Sequence, residues 1–211
     1  MNKQTTRSAA ELMAELEKDP TYLEQRRRRE EERLRQQEEQ ARAEVPILKE
    51  LREAGVSVGS VWDFVNSAGA DTRSLPILLD HLQRPYPKAV REGIARAMAV
   101  PAAKFAWPVL VKLYGQESEK RVKDALAVAL SNIADDEVLD DLIGLVRDPC
   151  HGESRLLLLS AFERLNLTQA WKLLMDLGGD PVLHKEVQRI IRRLKRAKAS
   201  RSPRDARQPS A

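Results

Sequence analysis

Cys150-His151-Gly152-Glu153 places a thiol, an imidazole and a carboxylate side by side. Such a trio can begin a metal site or a nucleophile–base pair. A closed zinc site takes about four ligands, usually with a second pair at CxxC or HxxxH spacing. No second pair exists. Cys150 is the only cysteine, and His81 and His184 stand far off in the sequence. Nucleophilic catalysis by Cys150 needs a base and a group that orients it, and the spacing supplies neither. The segment follows Asp148-Pro149 and reads as a polar turn. The sequence therefore predicts no metal, no cofactor and no catalytic set. A single cysteine also excludes an internal disulfide and suits a reducing compartment.

Three other sets carry chemistry. Arg91, Lys123 and Arg155 recur at intervals of 32 residues. They could bind anions as a ladder. The preferred reading is structural: each pairs with a turn carboxylate such as Asp148, or with exposed carbonyls between neighbouring units. His81 stands where sister segments have leucine, which predicts a partly buried, hydrogen-bonded histidine. Trp62, Trp107 and Trp171 could stack on bases, but Trp107 and Trp171 share one apolar column and read as core or convex-side packing. Glu92, Asp124 and Glu163 lie among scattered bases, without a clear positive groove for a nucleic acid.

The elements that hold these residues follow from the same interval. LPILLDHL at 75–82 is echoed by WPVLVKLY, LDDLIGLV and WKLLMDLG. Leu78, Leu110, Leu142 and Leu174 make one apolar column. Leu79, Val111, Ile143 and Met175 make a second, and Leu113, Leu145 and Leu177 a third. Spacing of i, i+1 and i+4 marks one face of a helix, here called A. Ile94, Leu126, Leu158 and Ile190, then Met98, Leu130, Phe162 and Leu194, mark a second helix, B. Pro85, Pro149 and Pro181 punctuate the A–B turn, where a proline without an N–H costs nothing. One such pair cannot bury its apolar face alone, so neighbours must stack. A decayed leading unit is predicted from VPILKEL at 45–51 and a short helix over Val61, Trp62, Phe64 and Val65.

Residues 1–44 read as an arm. Ser8 and Glu11 have capping-box spacing, and Asp19-Pro20 breaks the chain between two helices. The stretch from Leu23 to Glu44 favours helix throughout. Glu24/Arg28, Arg26/Glu30, Arg27/Glu31 and Arg28/Glu32 can pair along it, each worth roughly 0.2–0.5 kcal/mol. Leu23, Leu34 and Val45 are too sparse for a heptad seam. Residues 197–211 lack periodicity and are predicted to be a disordered basic tail. Residues 181–211 carry 10 basic and 2 acidic side chains, so the basic pI belongs to that end. No apolar signal segment opens the chain, and no run approaches the length of a membrane span. The expectation is a cytoplasmic protein with no membrane partner.

VREGIARAMAV and VKDALAVALSNIADDEVLDDLIGLVRDP resemble the short HEAT-type repeats of bacterial proteins. The resemblance spans residues 74–195, and the Arg-rich fourth unit departs from it. It implies an all-α, right-handed α-solenoid of four to five HEAT-like hairpins over residues 45–196, with the charged helix before it. It also implies a scaffold or adaptor whose B helices line the concave face. The expected function is thus non-enzymatic binding of a protein or peptide partner through Glu92, Asp124, Leu156 and Leu159. Leu156 carries most weight, because its column otherwise holds Glu92, Asp124 and Gln188. The leucine is a contact point, is covered by the chain's own arm, or belongs to a helix with a broad core-facing side. The alternative is a nucleic-acid- or ribosome-associated module using Arg189, Arg192, Arg193 and Arg196.

Overall fold

A computed structural model describes residues 8–66, 71–165 and 167–201. These residues form eleven α-helices and five short 3-10 turns, and no strand occurs among them. The chain divides into two compact units between Val45 and Pro46.

The first unit holds α1 (Ala9–Leu16) and most of α2 (Pro20–Glu53). Asp19 caps α2: its side chain accepts from the Thr21 N–H at 2.8 Å, and Pro20 takes the first helical position. Glu24 receives both Arg27 and Arg28 at 2.8 Å, and Arg27 also reaches Glu31 at 3.7 Å. Arg28 is thereby turned away from Glu32, which pairs with Arg35 at 2.7 Å instead, while Glu30 takes Arg33 at 2.5 Å. The expected Arg26/Glu30 and Arg28/Glu32 pairs give way to these closer ones. The arm is a solvated helix whose charges neutralise one another locally.

The second unit opens with the end of α2. The predicted arm boundary at 44/45 falls one residue before this division, and α2 runs across it through Pro46 to Glu53. It then stops on Gly55, whose φ is 78°. Val56 N–H bonds to Leu51 O at 2.8 Å and Gly55 N–H to Arg52 O at 3.0 Å, the Schellman pairing that a left-handed glycine allows. The short α3 (Asp63–Asn66) follows.

Four A helices and four B helices come next: α4 (Leu75–Leu82) with α5 (Lys88–Ala97), α6 (Trp107–Gln116) with α7 (Lys120–Ile133), α8 (Leu139–Arg147) with α9 (Arg155–Leu158), and α10 (Leu167–Asp176) with α11 (His184–Arg201). Each A helix packs on its B helix, α5 packs on α7, and α7 packs on α9. Starts at 75, 107 and 139 repeat at 32 residues, as do starts at 88 and 120.

The core follows the first A column and the B columns, whereas the second A column stays at the surface: Leu79, Val111 and Ile143 are half-buried and Met175 is 59% exposed. Leu78, Leu110, Leu142 and Leu174 are completely buried, as are Ile94, Leu126 and Leu158. Each such leucine contributes about 2 kcal/mol relative to an exposed one. Small residues set how closely the B helices approach. Ala95, Ala125, Ala127 and Ala129 are fully buried. A Cβ on Gly93 would sit 2.8 Å from Val61 Cγ2 and 3.0 Å from Trp62 Nε1, so only glycine fits.

Two expectations need correction. The third B helix is not continuous over SRLLLLSAFERL. Gly152, at φ 59° and ψ −137°, interrupts the turn Pro149–Ser154, and α9 lasts four residues before tightening into a 3-10 segment, Leu159–Glu163. The end of the array does not loosen at 197 either, because α11 runs to Arg201. The remainder of the predicted tail lies outside the described residues.

Candidate partner-binding face

The Arg91–Lys123–Arg155 column has its polar atoms turned inward. Arg91 meets Glu117 of the next turn at 2.6 Å, and Glu117 is nearly buried. Arg155 has only 3% of its side chain exposed; it meets Asp180 at 2.8 Å and donates to the carbonyls of Gly152 and Val146. Lys123 donates to the Glu117 carbonyl at 3.2 Å and lies 5.2 Å from the centre of the Tyr114 ring. Glu117 and Asp180 also accept backbone N–H groups of the residues that follow them. Burial raises the Asp180 carboxyl, but the Arg155 bond and those N–H groups outweigh it and hold the acid below its usual range.

Further polar bonds join positions about one repeat apart. Asn132 donates to the Ala99 carbonyl and Arg164 to those of Ser131 and Asn132. Trp107 Nε1 donates to Asp141 at 3.2 Å, and Arg147 meets Asp176 at 3.0 Å. The side chain at the end of one B helix thus satisfies carbonyls at the end of the previous one, which would otherwise have no helical partner.

The segment around Cys150 is a packed turn. Asp148 accepts from the Cys150 N–H at 2.9 Å. The His151 ring lies 4.5 Å from that of Tyr114. Tyr114 Oη and Ser154 Oγ are 2.7 Å apart, and Ser154 Oγ donates to the His151 carbonyl. Burial pushes the Tyr114 phenol up to about 12. Burial, with Lys123 nearby, lowers the His151 imidazole. Cys150 is exposed. No group of three or more His, Cys, Asp and Glu side chains able to hold a metal ion occurs among the described residues. His81 is fully buried rather than partly; its Nδ1 pairs with Tyr86 Oη at 2.8 Å, and Nε2 lies 3.2 Å from Glu50 without hydrogen-bond alignment.

The expected contact residues divide. Leu159 is completely buried and cannot meet a partner. Its column, with Ala95 and Ala127, is a packing column in which small residues signal close helices rather than solvent. Glu92 is buried too, bound to Arg96 at 2.9 Å. Asp124 is half-buried and pairs with Lys120 at 3.3 Å. Leu156 is half-buried. The leucine that faces solvent is its neighbour, Leu157, at 36% exposure. The columns concealed it, since Gly93 and Ala125 at its register are buried.

The Arg-rich end divides as well. Arg193 reaches across to Glu163 at 2.9 Å and to Glu186 at 3.3 Å, with half of its side chain still exposed. Arg189 pairs with Glu186 at 2.9 Å while staying exposed. Arg192 and Arg196 are exposed and have no carboxylate partner among the described residues; nor has Lys185, which the sequence reading passed over. Spacing of 4, 3 and 4 residues puts Lys185, Arg189, Arg192 and Arg196 on one helical stripe. It lies opposite the buried Val187 and Ile190. That spacing was the signal for Lys185. The aromatics pack elsewhere: Trp107 is buried, and Lys195 Nζ lies 5.7 Å from the Trp171 ring centre.

The chain matches no family model, no curated protein and no solved structure. No single described helix is long and apolar enough to cross a membrane.

Proposed function

We propose that this protein is a non-enzymatic scaffold or adaptor built as a HEAT-like, right-handed solenoid of helical hairpins, and that it binds a protein or peptide on its B-helix face. The observation that carries the binding reading is an exposed leucine on that face: Leu157, beside the half-buried Leu156. Leu156 and Leu157 together put an aliphatic pair among polar neighbours, which a partner's apolar side chain can cover. The solenoid reading is supported by the polar bonds between positions about one repeat apart and by the buried columns at the same interval. Asp124, Leu156 and Leu157 are the contact residues of this reading; Leu159 and Glu92 are buried and lie outside it. A polyanion at Arg192 and Arg196 is the competing reading.

The test is co-purification from the host followed by mass spectrometry, comparing the wild-type chain with Leu157→Asp and Leu156→Asp. A partner recovered by the wild type and lost by either variant supports the face. Recovery that is unchanged in both variants, with helicity intact, removes it.

A further inference from the structure

Leu157 and Arg189 of the cationic stripe stand 32 residues apart, at the same register of the third and fourth B segments. Arg193 binds Glu163 and so holds α11 against the segment Leu159–Glu163. Arg164 ties that same segment to the end of α7. The segment Leu159–Glu163 therefore packs against both α7 and α11, and Leu157 stands two residues before it. The charge along these helices is uneven. Towards α7, Asp124 and Glu153 are matched by Lys120. On α11, Lys185, Arg192 and Arg196 have no carboxylate among the described residues, and Arg189 shares one. At 1.5 Å rise per residue the four cations span about 16 Å, with steps of roughly 6, 4.5 and 6 Å.

We propose that the partner segment is acidic and amphipathic, with carboxylates along Lys185, Arg189, Arg192 and Arg196 and an aliphatic residue against Leu157. This rests on the B-face reading above and names its chemistry. Carboxylates spaced one helical turn apart match the steps of the stripe. A nucleic acid would match the charge, yet it leaves Leu157 exposed and finds no aromatic platform on α11, whereas a peptide with aliphatic side chains uses both features. Solvent-facing cations of this kind steer encounter and fix register, and Leu157 supplies the desolvated anchor.

The experiment measures fluorescence anisotropy with the full-length chain and two labelled probes. One is a synthetic peptide of Glu-Glu-Leu repeats; the other is oligothymidylate of similar length. The peptide is expected to bind more tightly, and its affinity is expected to fall as salt rises. Arg192→Glu with Arg196→Glu is expected to weaken it by about tenfold or more, and Leu157→Ser by about fivefold. Both variants alter exposed side chains, so unchanged circular dichroism and melting show that the fold is kept. Tighter binding of oligothymidylate, or peptide binding insensitive to the arginine reversals, overturns the proposal. Should a host partner still be lost with Leu157→Asp but not with the arginine reversals, the acidic chemistry is wrong and the face stands.

Discussion

Replacing Arg155 by methionine keeps most of its volume and removes its charge. Its side chain is 3% exposed, and Asp180 is 19% exposed. Removing one member of a fully buried pair costs about 3–5 kcal/mol, because the other charge is left in a poor solvent. Asp180 is partly wet and keeps the N–H groups of Val182 and Leu183, which reduces the loss. The carbonyls of Gly152 and Val146 lose a donor, which adds to it. The expected cost is about 3 kcal/mol, or a fall of roughly 6–12 °C in Tm for a chain of this size. Exposure sets the order among related sites. Arg91→Met, at 23% and 6% exposure in its pair, should cost about 1–2 kcal/mol, and Arg193→Met, at 50% and 28%, under about 1 kcal/mol. Urea unfolding checks this: the midpoint should fall with the slope unchanged. Asp180→Asn keeps a capping oxygen, so the Arg155→Met/Asp180→Asn double variant should recover about 1–2 kcal/mol of the summed single losses. If Arg155→Met costs no more than Arg193→Met, the basic column is not the joint between the third and fourth units.

Gly93→Ala forces a Cβ into Val61 and Trp62 and should destabilise by about 1–3 kcal/mol. Gly144→Ala in α8 meets nothing within 4 Å and should stabilise by about 0.5–1 kcal/mol, both measured by thermal melting. His151 gives a pH dependence. Its imidazole titrates below the ordinary 6.5 because burial and Lys123 disfavour the cation. As pH falls, the unfolded chain takes up this proton first, so the contribution is whole above about 6.5 and is lost below it. Tm should drop as pH falls below about 6.5, and His151→Phe should flatten that drop.

The periodic core was legible in the sequence. Positions 78, 110, 142 and 174 are buried because i, i+1 and i+4 spacing fixes one face of a helix whatever it packs against. The A and B helices, their proline-marked turns and the charged arm follow from the same local rules. The direction of Arg91 and Arg155 was anticipated in kind, as pairing with turn carboxylates, although Glu117 and Asp180 replace the suggested Asp148.

What the sequence left undecided depends on distances between helices. The sequence places Leu159 among the contact residues; the structure buries it with Ala95 and Ala127 of its column, because alanine marks where two backbones approach most closely. The third B helix was written as one element, but Gly152 breaks its entry and the chain tightens after four residues, which leaves Leu157 rather than Leu159 in solvent. Arg189, Arg192, Arg193 and Arg196 read alike as a charge run. The neighbouring Glu163 draws Arg193 to one side and leaves Lys185, Arg189, Arg192 and Arg196 as the stripe. Side-chain period is a property of one helix and is written locally. Which side of that helix meets another, and at what separation, is settled by residues some thirty positions away, and that only tertiary structure decides.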